Sequence, residues 1–346
     1  MRALRLTAWG DPPGPAEVER PVPHGAEVLV QVEAAGLCHS DLHVVDSAPG
    51  DLPYQLPFTL GHEVAGRVAA LGPEADGVAA GERVALYGPW GCGSCVRCAA
   101  GRDNLCDRRS TLAWHGLGLG RDGGMAEYVL APSARQLVPT GDLRASQAAP
   151  LTDAGLTAYH AVTGLRDALG EDSTVVVIGV GGLGHLAVQI LRATSASRVL
   201  AVDIREEALA LAHRCGAEFG TLLRHDTAGV LRARTRGAGV DAVLDFAGTA
   251  ASVELATSVL RPGGELALVG SGGGHLTVRK PGVLPPGFRL SLPFWGSRTE
   301  LAEVIALARS GALHVETEQL PLSAASEAFD RLRGGRVRGR MVLAPD

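Results

Sequence analysis

The sequence predicts an α/β protein in two domains: a mostly-β domain that opens and closes the chain, and a doubly wound parallel sheet in between. Three observations support this division. At 346 residues the chain exceeds the size at which one hydrophobic core usually stops growing. Residues 1–153 are rich in valine, glycine and proline, with short turn-bounded β-like runs at 28–34, 64–70 and 83–87. Across residues 154–292 apolar strands alternate with helical patterns, which is the pattern of a parallel sheet with crossover helices.

Taken in order, the second domain has strands at 174–178, 199–202, 242–246 and 265–269. Helical spacing of apolar residues places helices at 183–193, 206–214 and 251–260, the last stopped by Pro262-Gly263-Gly264. Residues 293–346 return to the first domain with helices at 300–309 and 324–332 and a final strand at 341–343. The long apolar stretch 174–191 is broken by glycines in its middle, so it reads as strand, turn and helix rather than a membrane span.

Composition narrows the class. Hydrophobic residues make up 46% and charged residues 20%, ordinary for a globular protein, and the net charge of -5 is scattered. No basic field is present to hold a phosphate backbone, so nucleic acid is not an expected partner. The first ten residues have no basic segment followed by an apolar run, and the expected location is cytoplasmic.

The strand at 174–178 runs into Gly179-Val180-Gly181-Gly182-Leu183-Gly184, after which a helical pattern begins. This is G-x-G-x-x-G in its required setting, where glycines permit the tight turn, close approach to a pyrophosphate and close helix packing. Asp203 ends the next strand, where an acid hydrogen-bonds the adenine ribose and repels a 2'-phosphate. NAD is expected over NADP. Arg205 moderates this, because an arginine accepts that phosphate, and Asp203 has the plainer reading of a turn or cap residue.

Cys92, Cys95, Cys98 and Cys106 form C-x-x-C-x-x-C-x7-C, a spacing suited to a closed tetrahedral zinc. The same spacing admits an iron-sulfur cluster, and disulfides are the bland alternative in an oxidising compartment. A second group combines Cys38-His39-Ser40-Asp41-Leu42-His43 with Gly61-His62-Glu63-Val64-Ala65-Gly66. Taken singly, Cys38 is an ordinary buried thiol, His62 a hydrogen-bonded structural histidine and Glu63 a surface acid.

Together with the cysteine lobe and the glycine loop, these motifs resemble the zinc-containing medium-chain alcohol dehydrogenase family over essentially the whole chain. Pro150-Leu151-Thr152-Asp153-Ala154-Gly155-Leu156-Thr157 is similar to its bacterial NAD-dependent secondary-alcohol branch. The resemblance implies a GroES-like catalytic domain, a Rossmann cofactor domain, NAD, and two zinc ions per subunit. Cys38, His62 and Asp153 would bind the catalytic zinc and the four cysteines of the lobe the structural one. Asp153 stands where many members carry cysteine, and zinc accepts N, S and O donors.

The resemblance also implies roles for neighbouring residues. Asp41 would orient His62, and Glu63 would sit beside the metal or replace a ligand transiently. Ser40 and His43 would pass the substrate proton to solvent. His39, Thr157, Leu183 and Arg338 would contact the cofactor, with His39 where many members place arginine. Tyr54 and Trp295 would wall the substrate pocket, though both are equally ordinary packing aromatics. Cys215 falls within a cofactor-domain helix and reads as a buried thiol.

The implied reaction is reversible hydride transfer between small secondary alcohols and NAD, by a homo-oligomer with tetramer ranked above dimer. Alternatives are another zinc dehydrogenase of the family acting on polyols, aldehydes or aryl alcohols, a zinc-free quinone reductase of the same fold, and a non-catalytic NAD-binding sensor.

Overall fold

The computed structural model describes residues 1–346 except 166, 167 and 283. The chain forms two compact units, Met1–Leu156 with Trp295–Asp346, and Thr157–Phe294.

The first unit is built on a seven-stranded sheet. Its order is Leu137–Pro139, Arg83–Leu86, Glu63–Leu71, Val28–Leu37, Arg340–Ala344 and Thr317–Pro321, with Tyr128–Ala131 also paired to Val28–Leu37. Val28–Leu37 is buried at all but Gln31 and Glu33 and occupies the middle, with Leu37, Val64, Leu86 and Met341 in the core around it. Register aligns Gly36 with Glu63 and Leu37 with Met341, which brings the ends of three strands to one level. Thr317–Pro321 was not signalled by the sequence, because it lies at the sheet edge with no alternation of burial.

The second unit holds six parallel strands in the order Phe219–Leu222, Arg198–Asp203, Thr174–Ile178, Val240–Asp245, Leu260–Leu268 and Arg289–Ser291. Numbered within the unit, this is 3-2-1-4-5-6, the dinucleotide-binding arrangement with its switch point beside the first strand. Thr174–Ile178 is buried throughout, as a central parallel strand must be. The predicted helices appear as Gly184–Thr194, Glu206–Arg214 and Ala250–Val259.

Two of the six strands were not visible in the sequence. Phe219–Leu222 contains glycine and threonine and is half-buried, while Arg289–Ser291 is exposed, so neither carries an apolar run. Helix Thr227–Arg234 was missed as well, since Gly229 and three arginine or threonine positions leave a weak apolar stripe. Cys215 caps the end of helix Glu206–Arg214 and is half-buried, rather than lying buried within a helix as expected. Among the described residues no helix is long and apolar enough to cross a membrane.

Candidate active site

Cys38 directly follows strand Val28–Leu37 and begins helix His39–Val45, while His62 directly precedes strand Glu63–Leu71. Because the two strands pair with Gly36 opposite Glu63, both side chains fall at the same sheet end. Asp153 arrives from the turn between Ala149–Thr152 and helix Ala154–Thr163. Its Oδ2 lies 3.6 Å from Cys38 Sγ and 3.5 Å from His62 Nε2. Donor atoms of Cys38, His62, Glu63 and Asp153 all fall within 4.8 Å of one another.

Asp41 supports this group and is fully buried. One carboxylate oxygen accepts the His62 Nδ1–H at 3.2 Å and the other accepts the Cys38 N–H at 2.9 Å. With Nδ1 engaged by Asp41, Nε2 is the ring nitrogen left to face a metal, and this buried atom has no hydrogen-bond partner. Burial works against a charged imidazole, yet Asp41, Asp153 and Cys38 outweigh it and hold the His62 pKa well above the ordinary value. The site therefore favours positive charge, and a thiolate, an imidazole and a carboxylate are the donor types of an open zinc site.

Glu63 lies buried beside Cys38, His62 and Asp153, where its Oε1 accepts the Ala154 N–H at 3.2 Å and pairs with Arg340. Burial opposes the Arg340 charge, but the Glu63 carboxylate raises its pKa and keeps it ionised. Arg340 was not singled out in the sequence, where it is one of four arginines in residues 333–340; only pairing of its strand with Val28–Leu37 identifies it. Arg338, expected to contact the cofactor, is exposed and bridges to Glu316 at 2.8 Å.

Ser40 is half-buried with Oγ 3.8 Å from Cys38 Sγ, and His43, one turn along the same helix, is exposed. His39 is exposed too; partial desolvation, with Arg340 and His43 nearby, pushes its imidazole below the ordinary pKa. Trp295 is buried and sets its ring edge-on to His62, centroids 6.0 Å apart. Tyr54 is also buried, hydrogen-bonded through its hydroxyl to His115 Nδ1 at 2.8 Å. Burial pushes that hydroxyl up to about 12, against the charges of Arg109 and His62.

The four lobe cysteines likewise bring their sulfurs within 4.8 Å of one another. Cys95 begins helix Val96–Ala99 and accepts the Cys98 N–H at 3.4 Å, while Cys106 accepts the Cys92 N–H at 3.3 Å. The Ser94 backbone N–H and hydroxyl lower the Cys92 thiol to about 6, whereas burial raises that of Cys98. All six cysteines of the chain are free of disulfides. Backbone donors aimed at four converging sulfurs match a tetrathiolate zinc.

In the second unit Gly179 adopts a φ of 83° and Gly184 leaves no room for a Cβ, which would lie 2.0 Å from the Gly179 carbonyl oxygen. Asp203 accepts the Val180 N–H at 2.7 Å, so the acid and the glycine loop are in contact. Its other oxygen accepts from Ile204 and Arg205 N–H at 2.8 and 3.0 Å, and the Arg205 Nε lies 3.7 Å away. Gly181, Gly182 and Leu183 are half-buried and Thr157 is buried in helix Ala154–Thr163. His185, fully buried, donates from Nδ1 to the Gly181 carbonyl at 2.8 Å; nothing in its helical position distinguished it in the sequence.

A 3-2-1-4-5-6 parallel sheet with a glycine loop, joined to a β unit carrying one open and one closed zinc donor set, defines a zinc-binding, dinucleotide-binding dehydrogenase scaffold. Comparison with known proteins agrees. Residues 24–142 match the alcohol dehydrogenase GroES-like domain and residues 182–310 the zinc-binding dehydrogenase family. An NAD-dependent alcohol dehydrogenase of Sulfurisphaera tokodaii is 38% identical over 100% of both chains. The crystal structure of the alcohol dehydrogenase from Aeropyrum pernix is 35% identical, with a TM-score of 0.92 over 100% of both chains. Acetophenone reductase from Geotrichum candidum, solved in complex with NAD, is 32% identical, with a TM-score of 0.87 over 99% of this chain and 96% of that one. The chain belongs to the zinc-dependent medium-chain alcohol dehydrogenase family.

Proposed function

We propose that the protein interconverts small secondary alcohols and ketones with NAD as hydride carrier. The convergence of Cys38, His62 and Asp153 around a buried, unpartnered Nε2 carries this reading. When bound, zinc supplies the Lewis acidity that makes an alcohol hydroxyl acidic near neutral pH, and nicotinamide supplies the hydride acceptor. The chain supplies the rest. Asp41 holds both Cys38 and His62 in place, and the Glu63–Arg340 pair lets a second carboxylate lie against the ligands without an uncompensated charge. The Ser40 hydroxyl accepts the alcohol proton as it releases its own, which would pass by way of the nicotinamide ribose hydroxyls to exposed His43 on the same helix and so to solvent.

Trp295 and Tyr54 wall the substrate pocket, Trp295 by its edge-on approach to His62. Apolar walls select by size, and the likeness to a reductase named for acetophenone, a ketone, supports secondary alcohols. For the cofactor, Asp203 retains lone pairs for a ribose diol and its charge opposes a 2'-phosphate. Arg205 lies within reach of Asp203, which offsets its attraction for that phosphate. Gly179, Gly181, Gly182, Leu183 and Gly184 hold the pyrophosphate, and His39, Thr157 and Arg338 are further cofactor contacts.

Leu290 in the edge strand Arg289–Ser291, and Leu292 and Phe294 just after it, are exposed. An exposed edge strand flanked by exposed apolar side chains can pair with a second copy about a twofold axis, which supports a homo-oligomer, with tetramer proposed over dimer. Six free thiols fit a cytoplasmic location.

Absorbance of NADH, followed with propan-2-ol, ethanol and glycerol and with NADP in parallel, tests the reading. Faster turnover of propan-2-ol with NAD is expected, with two zinc ions per chain by metal analysis. Binding of NAD without turnover of any alcohol or ketone by zinc-loaded protein would instead favour a sensor.

A further inference from the structure

Trp295 has an unusual backbone. Its φ is 49°, and among the described residues Arg236 is the other non-glycine residue in the left-handed region. Arg236 lies exposed in a turn, whereas Trp295 is a buried, bulky side chain, so its conformation persists because surrounding contacts impose it.

Those contacts come from two directions. Upstream, the buried Tyr87 hydroxyl donates to the carbonyl of Gly296, the next residue, at 2.7 Å. Trp90 Nε1 in turn donates to the Tyr87 carbonyl at 2.9 Å, making Tyr87 part of a braced segment that continues into Cys92. Gly88 lies beneath the indole: a Cβ there would be 3.2 Å from Trp295 Cζ2 and 3.1 Å from the His62 carbonyl oxygen. Downstream, Ser297 and Glu300 cap helix Arg298–Arg309, and the Arg298 N–H donates to Gly101 of the cysteine lobe at 3.1 Å. The Arg298 side chain also binds the carbonyls of Arg135 and Leu137 at 2.7 and 2.8 Å.

We propose that Tyr87 is a positioning residue for substrate selection: by holding the Gly296 carbonyl it fixes Trp295 edge-on to His62, so the segment entering the cysteine lobe sets the size of secondary alcohol accepted. This rests on Trp295 being a pocket wall, the reading given above. Tyr87 touches no reacting atom and acts through the tryptophan.

The test is the ratio of kcat/KM for 1-phenylethanol to that for propan-2-ol, with kcat and KM reported separately, in zinc-loaded enzyme. Trp295→Ala is expected to raise the ratio at least about tenfold, within the range that apolar pocket changes produce. Tyr87→Phe is expected to raise it roughly threefold or more, mainly through KM for the bulky alcohol. In the Trp295→Ala background the same tyrosine change is expected to add nothing, because its route to the substrate is gone. Gly88→Ala, which presses on the indole from below, is expected to alter the ratio only while Trp295 is present, and serves if Tyr87→Phe folds poorly.

A ratio that responds to Trp295→Ala but to neither Tyr87→Phe nor Gly88→Ala overturns the positioning role and leaves the wall intact. An equal Tyr87→Phe effect with and without Trp295 also overturns it. A ratio indifferent to Trp295→Ala removes the wall itself, and the inference with it.

Discussion

The two cysteine-bearing clusters of the β unit reach similar sulfur or donor spacing by opposite routes. The lobe draws four thiolates from one short segment, whereas Cys38 and Asp153 of the open site are 115 residues apart and meet through strand pairing and a turn. Surroundings differ accordingly. The lobe leaves Val96 83% and Leu105 37% exposed, so little apolar burial holds it, while Cys38, His62 and Glu63 of the open site are themselves buried at the ends of core strands. A metal that ties together a coreless loop contributes to folding, and one that fills a prebuilt site contributes to chemistry.

Removing a donor from each cluster separates those two uses of metal. Cys38→Ser is expected to remove roughly 5 kcal/mol of transition-state stabilisation, a few thousandfold in kcat/KM, because the Lewis acid is lost. Metal analysis should find one zinc retained and thermal unfolding should move little. A large fall in stability would erase the distinction between the clusters.

Arg340→Met isolates the scaffold of the open site. It leaves Glu63 buried without its partner and is expected to destabilise the unit by about 3–5 kcal/mol in denaturant unfolding. Adding Glu63→Gln should recover most of that loss, because the stranded charge is then gone. Cys98→Ser in the lobe is the converse case. An expected loss on the order of 3 kcal/mol lowers the unfolding midpoint by about 10 °C, read by calorimetry, while the other zinc stays bound.

The glycine loop lies between these extremes, since the loop itself is local but its acid comes from the next strand. Asp203→Asn removes a charge-assisted contact, and an expected change of about 1.5–3 kcal/mol shifts the NAD to NADP ratio of kcat/KM by about 10- to 100-fold toward NADP. The smallest effect belongs to the exposed pair Asp46 and Arg333, bonded at 2.7 and 2.8 Å, which ties the helix carrying His43 to helix Ala325–Arg333. Arg333 holds the Asp46 carboxyl below its ordinary pKa, so its contribution is present above about pH 4 and lost as pH falls through the lowered value. Solvent screens both side chains, and Asp46→Asn is expected to cost under about 1 kcal/mol at neutral pH by chemical unfolding.

How readily each region could be read from the sequence follows the same contrast. Cys92, Cys95, Cys98 and Cys106 declare themselves by spacing, because neighbouring residues remain neighbours in any fold. Gly179 to Gly184 does so through strand, turn and helix in succession. Arg340 and His185 gave no such signal. One arginine among several becomes distinctive only when its strand pairs beside Cys38, and a histidine on an apolar helix face looks like core until its nitrogen is seen on the Gly181 carbonyl. Edge strands Arg289–Ser291 and Thr317–Pro321 escaped notice for a related reason, since an exposed or half-exposed strand has no apolar alternation to betray it.

By itself the sequence determined the α/β division, the four-thiolate lobe, the glycine loop with Asp203, and the candidate ligands Cys38, His62 and Asp153, all of which depend on residue type and local order. The tertiary structure decided that the donor atoms of Cys38, His62 and Asp153 lie within 4.8 Å of one another, that Asp41 braces two of these residues, that Arg340 pairs with Glu63, and that Trp295 is twisted against His62. Long-range register and side-chain direction produce those contacts, and neither is encoded in any single segment of the chain.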